Sequence, residues 1–181
     1  MLRITIPATE LWDESKEEFI NIKEQTLQLE HSLVSLSKWE SKWCKPFLGK
    51  DEKTDEEAID YIRCMTITQN VDPIIYNFIP NDIREQISKY INAQMTATWF
   101  NDERKGGLGS SEQITSELVY YWMISFNIPF ECQKWHLNRL LTLIRICNVK
   151  NQPPKKISKN TRMSKQAALN AARRKQFNTK G

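Results

Sequence analysis

The sequence predicts an α+β fold: a small N-terminal antiparallel β-element on a mainly α-helical body, with a basic C-terminal tail. Three observations carry this. Apolar residues alternate with polar ones through residues 1–31, which is strand periodicity. From residue 32 they recur every three or four positions, which is helical periodicity. After Glu131 no acidic residue follows, so the chain changes electrical character within its last third. The boundaries read from these changes are 1–31 for the β-element, 32–149 for the helical body and 150–181 for the tail.

Leu2, Ile4 and Ile6 alternate with Arg3 and Thr5, and Pro7 ends the run or puts it on an edge. Asp13 to Lys16 reads as a polar turn. Alternation resumes through Ile20 and Ile22, then through Leu27 and Leu29, giving two or three antiparallel strands in all. Leu33, Leu36, Trp39 (or Glu40) and Trp43 then share one helical face, with Ser32 as N-cap and Pro46 as terminator. Thr54 followed by Glu57 is a capping-box pattern that opens a second helix carrying Ile59, Ile62 and Met65. The VDP run at 71–73 breaks it. Pro80 and Asn81 open a third helix with Ile83, Ile87 and Ile91 four residues apart.

MTATWF, residues 95–100, alternates small and large side chains and reads as a short strand. Asn101 to Gly109 holds three of the five glycines and reads as a hinge. A fourth helix follows, with Ile114, Leu118, Trp122 and Phe126 in one stripe and Val119 and Met123 beside it. Asn127 can close that helix in the left-handed conformation, and Pro129 prevents its continuation. A fifth helix presents Leu137, Leu140, Leu141, Ile144 and Cys147, and is apolar on most sides. The tail opens with an extended Pro- and Lys-rich run. It then turns to helix formers from Ser164 to Phe177, whose apolar face is thin enough to order only on a partner.

Residues 1–131 carry 22 acidic and 13 basic side chains, while residues 132–181 carry 13 basic ones and no acid. Such a split suits a polyanion, an acidic protein surface or the chain's own acidic half. Cys44, Cys64, Cys132 and Cys147 form no CxxC pair, and reduced thiols in a cytoplasm are expected. No signal peptide is read, and no run approaches ~18 apolar residues, so no membrane partner is expected.

Several residue groups invite chemistry. Cys132 and His136, four apart, would share a helical face as zinc ligands, but the next thiol, Cys147, lies about 16 Å up the same helix. They also lack the orienting carboxylate and oxyanion loop of a nucleophilic pair. A buried thiol and a hydrogen-bonded imidazole is the plainer reading. Trp39, Trp43, Trp99, Trp122 and Trp135 could stack bases, yet most fall on apolar helix faces where core packing is the default. Residues 112–148 have the outline of a helix-turn-helix, with Lys134, Asn138, Arg139 and Arg145 on the second helix, but that helix is too apolar to read a groove. No cofactor is implied.

At HSLVSLSKWESKWCKPF, DYIRCMTITQNVDP, MTATWF, ELVYYWMISFNIPFECQKWHLNRLLTLIRICN and ALNAARRK, the chain resembles small proteins of tailed bacteriophages described as tail assembly chaperones. The resemblance runs over nearly the whole chain and includes no catalytic motif. It implies a non-enzymatic protein in the host cytoplasm during infection. Its partners would be the tape measure protein, coated before the tube encloses it, and the tail-tube protein.

On that reading Leu118, Trp122, Phe126, Leu137, Leu141 and Ile144 form a candidate apolar docking face. Lys155, Lys156, Lys159, Arg162, Lys165, Arg173, Arg174 and Lys175 form a candidate basic partner-binding tail. Two other function classes stand beside it: a phage nucleic-acid-binding protein acting through the tail, and a minor structural or connector virion protein. The oligomeric state is open, a homo-oligomer included.

Overall fold

The computed structural model describes residues 1–13, 18–100, 113–152 and 159–178. The fold is α+β: two small antiparallel two-stranded sheets precede a mostly helical body. By contacts the chain falls into two units, Met1–Asn148 and Val149–Gly181.

Four strands form the β-element: β1 (Leu2–Ile6), β2 (Thr9–Asp13), β3 (Glu18–Ile22) and β4 (Gln25–Leu29). β1 pairs with β4 in the register Ile4↔Leu27, and β2 pairs with β3 in the register Thr9↔Ile22. The extra strand relative to the sequence reading is β2, TELWD. Pro7 has no N–H to give the ladder, so the pairing breaks there and resumes at Thr9. Ile4, Ile6, Leu27 and Leu29 point inward and are buried, while Thr5 and Thr26 face out and meet through their hydroxyls at 3.1 Å. Each buried aliphatic side chain of this kind contributes about 1.5–3 kcal/mol.

The α-helices before the tail are α1 (Leu33–Trp43), α2 (Asp55–Met65), α3 (Asn81–Ile91), α4 (Ser116–Ser125) and α5 (Leu137–Asn151). Ser32 caps α1, sharing a capping box with Ser35, and Thr54 caps α2 through the predicted box with Glu57. α1 ends on Cys44, at φ 52°, two residues before Pro46. A 3-10 helix, Pro73–Phe78, follows the VDP break. The exit of α2 lies along β4: Glu30 N–H donates to Met65 O and Ile67 N–H to Gln28 O. That protects the sheet edge.

Two apolar clusters fill the body. The first gathers the β1–β4 face, Trp39, Tyr61, Met65, Tyr76 and the isoleucines of α3. The second gathers Leu33 and Leu36 with Val119, Met123, Leu137, Leu140 and Ile144. α1 therefore contributes its two sides to the two clusters.

Polar ties hold α1 on α2. Trp39 Nε1 donates to Glu57 O at 2.8 Å, and Trp43 Nε1 donates to Asp60 Oδ2 at 2.9 Å. Lys42 and Lys45 pair with the buried carboxylates of Asp60 and Glu57.

MTATWF is not a strand. Met95 sits at φ 49°, which interrupts an extended run, and among the described residues no strand pairs with the segment. The hinge expected at Asn101 to Gly109 lies outside the described residues.

Candidate functional site

α4 is apolar nearly all round, and its neighbours use only one side of it. Ser116, Val119 and Met123 are buried against the second cluster. Thr115 caps the helix by accepting from Leu118 N–H, and the buried Glu40 of α1 accepts from Ser116 N–H at 2.7 Å. The other oxygen of Glu40 accepts from Phe47 N–H at 2.8 Å. A carboxylate at a helix N-terminus suits the orphan N–H groups and the dipole there. Asn127, at φ 53°, ends α4 as its sequence suggests, and Ile128 N–H returns to Met123 O.

This anchoring fixes which face of α4 meets solvent. Tyr121 is 62% exposed, Ile124 61% and Phe130, on the following 3-10 helix Phe130–Lys134, 53%. Leu118, Trp122 and Phe126 lie half-buried at the border of that face. Of the residues expected to form the docking face, two are buried and one lies elsewhere. Leu137 and Ile144 are core residues, at 0% and 6% exposure. Leu141 is half-buried and lines a separate cavity of about 420 Å³ with Trp99, Phe100 and Thr142.

Tyr121, Ile124 and Phe130 are the large apolar residues of this segment that are exposed. The signal for them was Glu117, which opens the i, i+4, i+7 row Glu117–Tyr121–Ile124 and marks the solvent side. Ser116, small and polar, masked the buried side.

For Cys132 and His136 the plainer reading holds, a buried thiol and a hydrogen-bonded imidazole. Cys132 lies in the 3-10 helix and His136 precedes α5, so no single helix carries both. His136 packs instead on His31, ring centroids 5.1 Å apart. Its Nε2 lies 3.0 Å from Tyr90 O, and its Nδ1 accepts from Asn138 N–H, which together require the neutral Nε2–H tautomer. His31 Nδ1 lies 2.5 Å from the Tyr61 hydroxyl. Burial, and secondarily the neighbouring His136, lowers the His31 pKa from 6.5 to about 4. Burial also lowers His136, partly offset by its bond to Tyr90 O.

Among the described residues no group of three or more His, Cys, Asp or Glu could hold a metal ion. No helix among them is long and apolar enough to cross a membrane.

The outline of a helix-turn-helix dissolves as well. α4 and α5 are separated by the 3-10 helix, and Asn138 spends its amide on Ile91 O and Ala93 O at the end of α3. Arg139 stacks over Trp135 at 4.2 Å.

In the second unit, α6 runs from Lys159 to Phe177. Lys165, Arg173, Arg174 and Lys175 on it are exposed. Lys159 and Arg162 fall within the same helix, and Lys155 and Lys156 lie outside the described residues.

No protein-family model, curated protein or solved structure matches the chain.

Proposed function

We propose that this protein is a non-enzymatic tail assembly chaperone of a tailed bacteriophage. It acts in the host cytoplasm and binds the tape measure protein and tail-tube subunits during tail assembly. One structural observation supports the reading most: α4 presents Tyr121 and Ile124 to solvent, with Leu118, Trp122 and Phe126 half-buried, and Phe130 of the following 3-10 helix is exposed too. A helix apolar nearly all round is ordinarily enclosed, and a contiguous exposed apolar patch is a usual feature of binding sites. A tape measure protein is a long helical chain with apolar faces, the type of partner that an apolar helix surface covers. Rigid anchoring of α4 by Glu40 and Thr115 keeps the surface formed before the partner arrives, which lowers the ordering cost of binding.

The test is affinity capture of the tagged protein from infected cells, with the eluate read by mass spectrometry. Tape measure and tail-tube proteins are expected to co-purify. Their absence, or stoichiometric incorporation of this protein into purified virions, overturns the proposal and favours a connector role.

A further inference from the structure

We infer that α6 is a sequence-independent nucleic-acid-binding helix, a second binding surface that goes beyond the docking role of α4 and does not depend on it. The helix has 19 residues and carries Lys159, Arg162, Lys165, Arg173, Arg174 and Lys175 without one acidic side chain. The described side chains on it, Met163 to Phe177, are all exposed, Lys165, Arg173, Arg174 and Lys175 among them. Arg173, Arg174 and Lys175 step about 100° apart around the axis and ring its C-terminal end. Arg174 and Lys175 lie in the last turn, where cations favour the helix dipole.

The choice between nucleic acid and an acidic protein turns on what else the helix offers. A helix that docks in a protein groove supplies an apolar row at three- and four-residue spacing. Here the large apolar residues are Met163, Leu169 and Phe177, six and eight positions apart, so no two of them follow each other at three or four residues and the apolar face is thin. Attraction therefore rests on charge, and isolated surface ion pairs with protein carboxylates contribute only about 0–1 kcal/mol each. A duplex presents one phosphate charge per roughly 1.7 Å and releases counterions on binding.

The dimensions also suit. The helix is about 28 Å long and 10–12 Å across, against a major groove about 12 Å wide. Gln166, Asn170 and Gln176 add hydrogen-bonding amides between the cations. A helix with so little apolar face is marginal by itself, and phosphate contacts relieve the mutual repulsion of its cations.

Fluorescence anisotropy of a labelled duplex of about 20 base pairs, titrated with the full chain from roughly 50 to 200 mM salt, tests this. Binding is expected to weaken linearly in log–log form. The combined variant Lys165→Gln, Arg173→Gln, Arg174→Gln and Lys175→Gln keeps helix-forming residues and should reduce the slope by about 2 to 4. The charge-keeping variant Lys165→Arg, Arg173→Lys, Arg174→Lys and Lys175→Arg should retain it. Failure of the wild type to bind, or equal slopes for wild type and the glutamine variant, overturns the inference. So does a poly-glutamate peptide of matched charge that binds as tightly as the duplex, which assigns the helix to an acidic protein.

Discussion

His31 and His136, the two histidines of the chain, meet edge to face with ring centroids 5.1 Å apart and planes at 67°. Leu137 N–H donates to His31 O at 2.7 Å, and Ser32 and His136 form a β-bridge beside it. The contact joins the start of α1 to the start of α5, where the two apolar clusters border each other. Tyr61 and Tyr90 close it from α2 and α3. Glu30 approaches through the Tyr90 hydroxyl, at 2.6 Å, and carries the ion pair with the Met1 amino group.

The fold is expected to lose stability as pH falls from 6.5 to 4. The folded pKa of His31 lies below its ordinary value, at about 4, so the unfolded chain takes up the proton first. Stability from this residue is fully present above 6.5 and is lost as pH drops toward the folded value. At 1.36 kcal/mol per pH unit the swing is about 3 kcal/mol. Asp60 and Glu57 add loss in the same direction at lower pH. Burial raises the Asp60 carboxyl, but hydrogen bonds from Lys42 and Trp43 outweigh it and hold the pKa down. The Lys45 hydrogen bond does the same for Glu57. Urea unfolding between pH 4 and 8, followed by tryptophan fluorescence, measures the slope. A flat profile between 4 and 6.5 contradicts the assignment of His31 as buried and neutral.

Glu40→Ala should destabilise by about 2–4 kcal/mol, because two N–H groups, of Phe47 and Ser116, lose a charged acceptor in the interior. The neighbouring exposed Ser41→Ala should change stability by less than about 0.5 kcal/mol. Midpoints of urea denaturation for the two variants decide it. Equal midpoints would mean that Glu40 is not what holds the N-terminus of α4.

Leu140→Ala should cost about 2–5 kcal/mol, since Leu140 is fully buried among Val119, Met123 and Leu137. Tyr121→Ser and Ile124→Ser, on the opposite side of α4, should shift the thermal midpoint little and leave the far-ultraviolet circular dichroism unchanged. A large loss of stability from the latter pair would place their side chains in the core and remove the docking surface.

The helix boundaries were legible because their signals are local. Ser32, Thr54, Asn127 and Pro129 act within four residues of themselves, and each stands at the helix end its chemistry suggests. The β1–β4 face followed from period-two alternation. What escaped depends on partners distant in sequence. Nothing near His136 announces His31, and Cys132 four residues away was the misleading neighbour.

Which side of α4 meets solvent was not legible in the apolar pattern of the sequence. α4 is apolar on both sides, and only its contacts with α1 and α5 decide which side is core. MTATWF has strand periodicity, but no strand among the described residues pairs with it. The charge division at Glu131 was plain from composition, but that residues 159–177 form one continuous helix was not, because the apolar face there is thin.

The most direct test of the central claim is co-expression with the tape measure protein of the same genome, reading the amount of tape measure protein that stays soluble and co-purifies. Wild type is expected to hold it in a stable complex. The double variant Tyr121→Ser and Ile124→Ser should reduce the complex at least tenfold, about 1.4 kcal/mol, with its fold intact. Equal recovery with wild type and the double variant would contradict α4 as the docking surface. No recovery with either would contradict the chaperone reading itself.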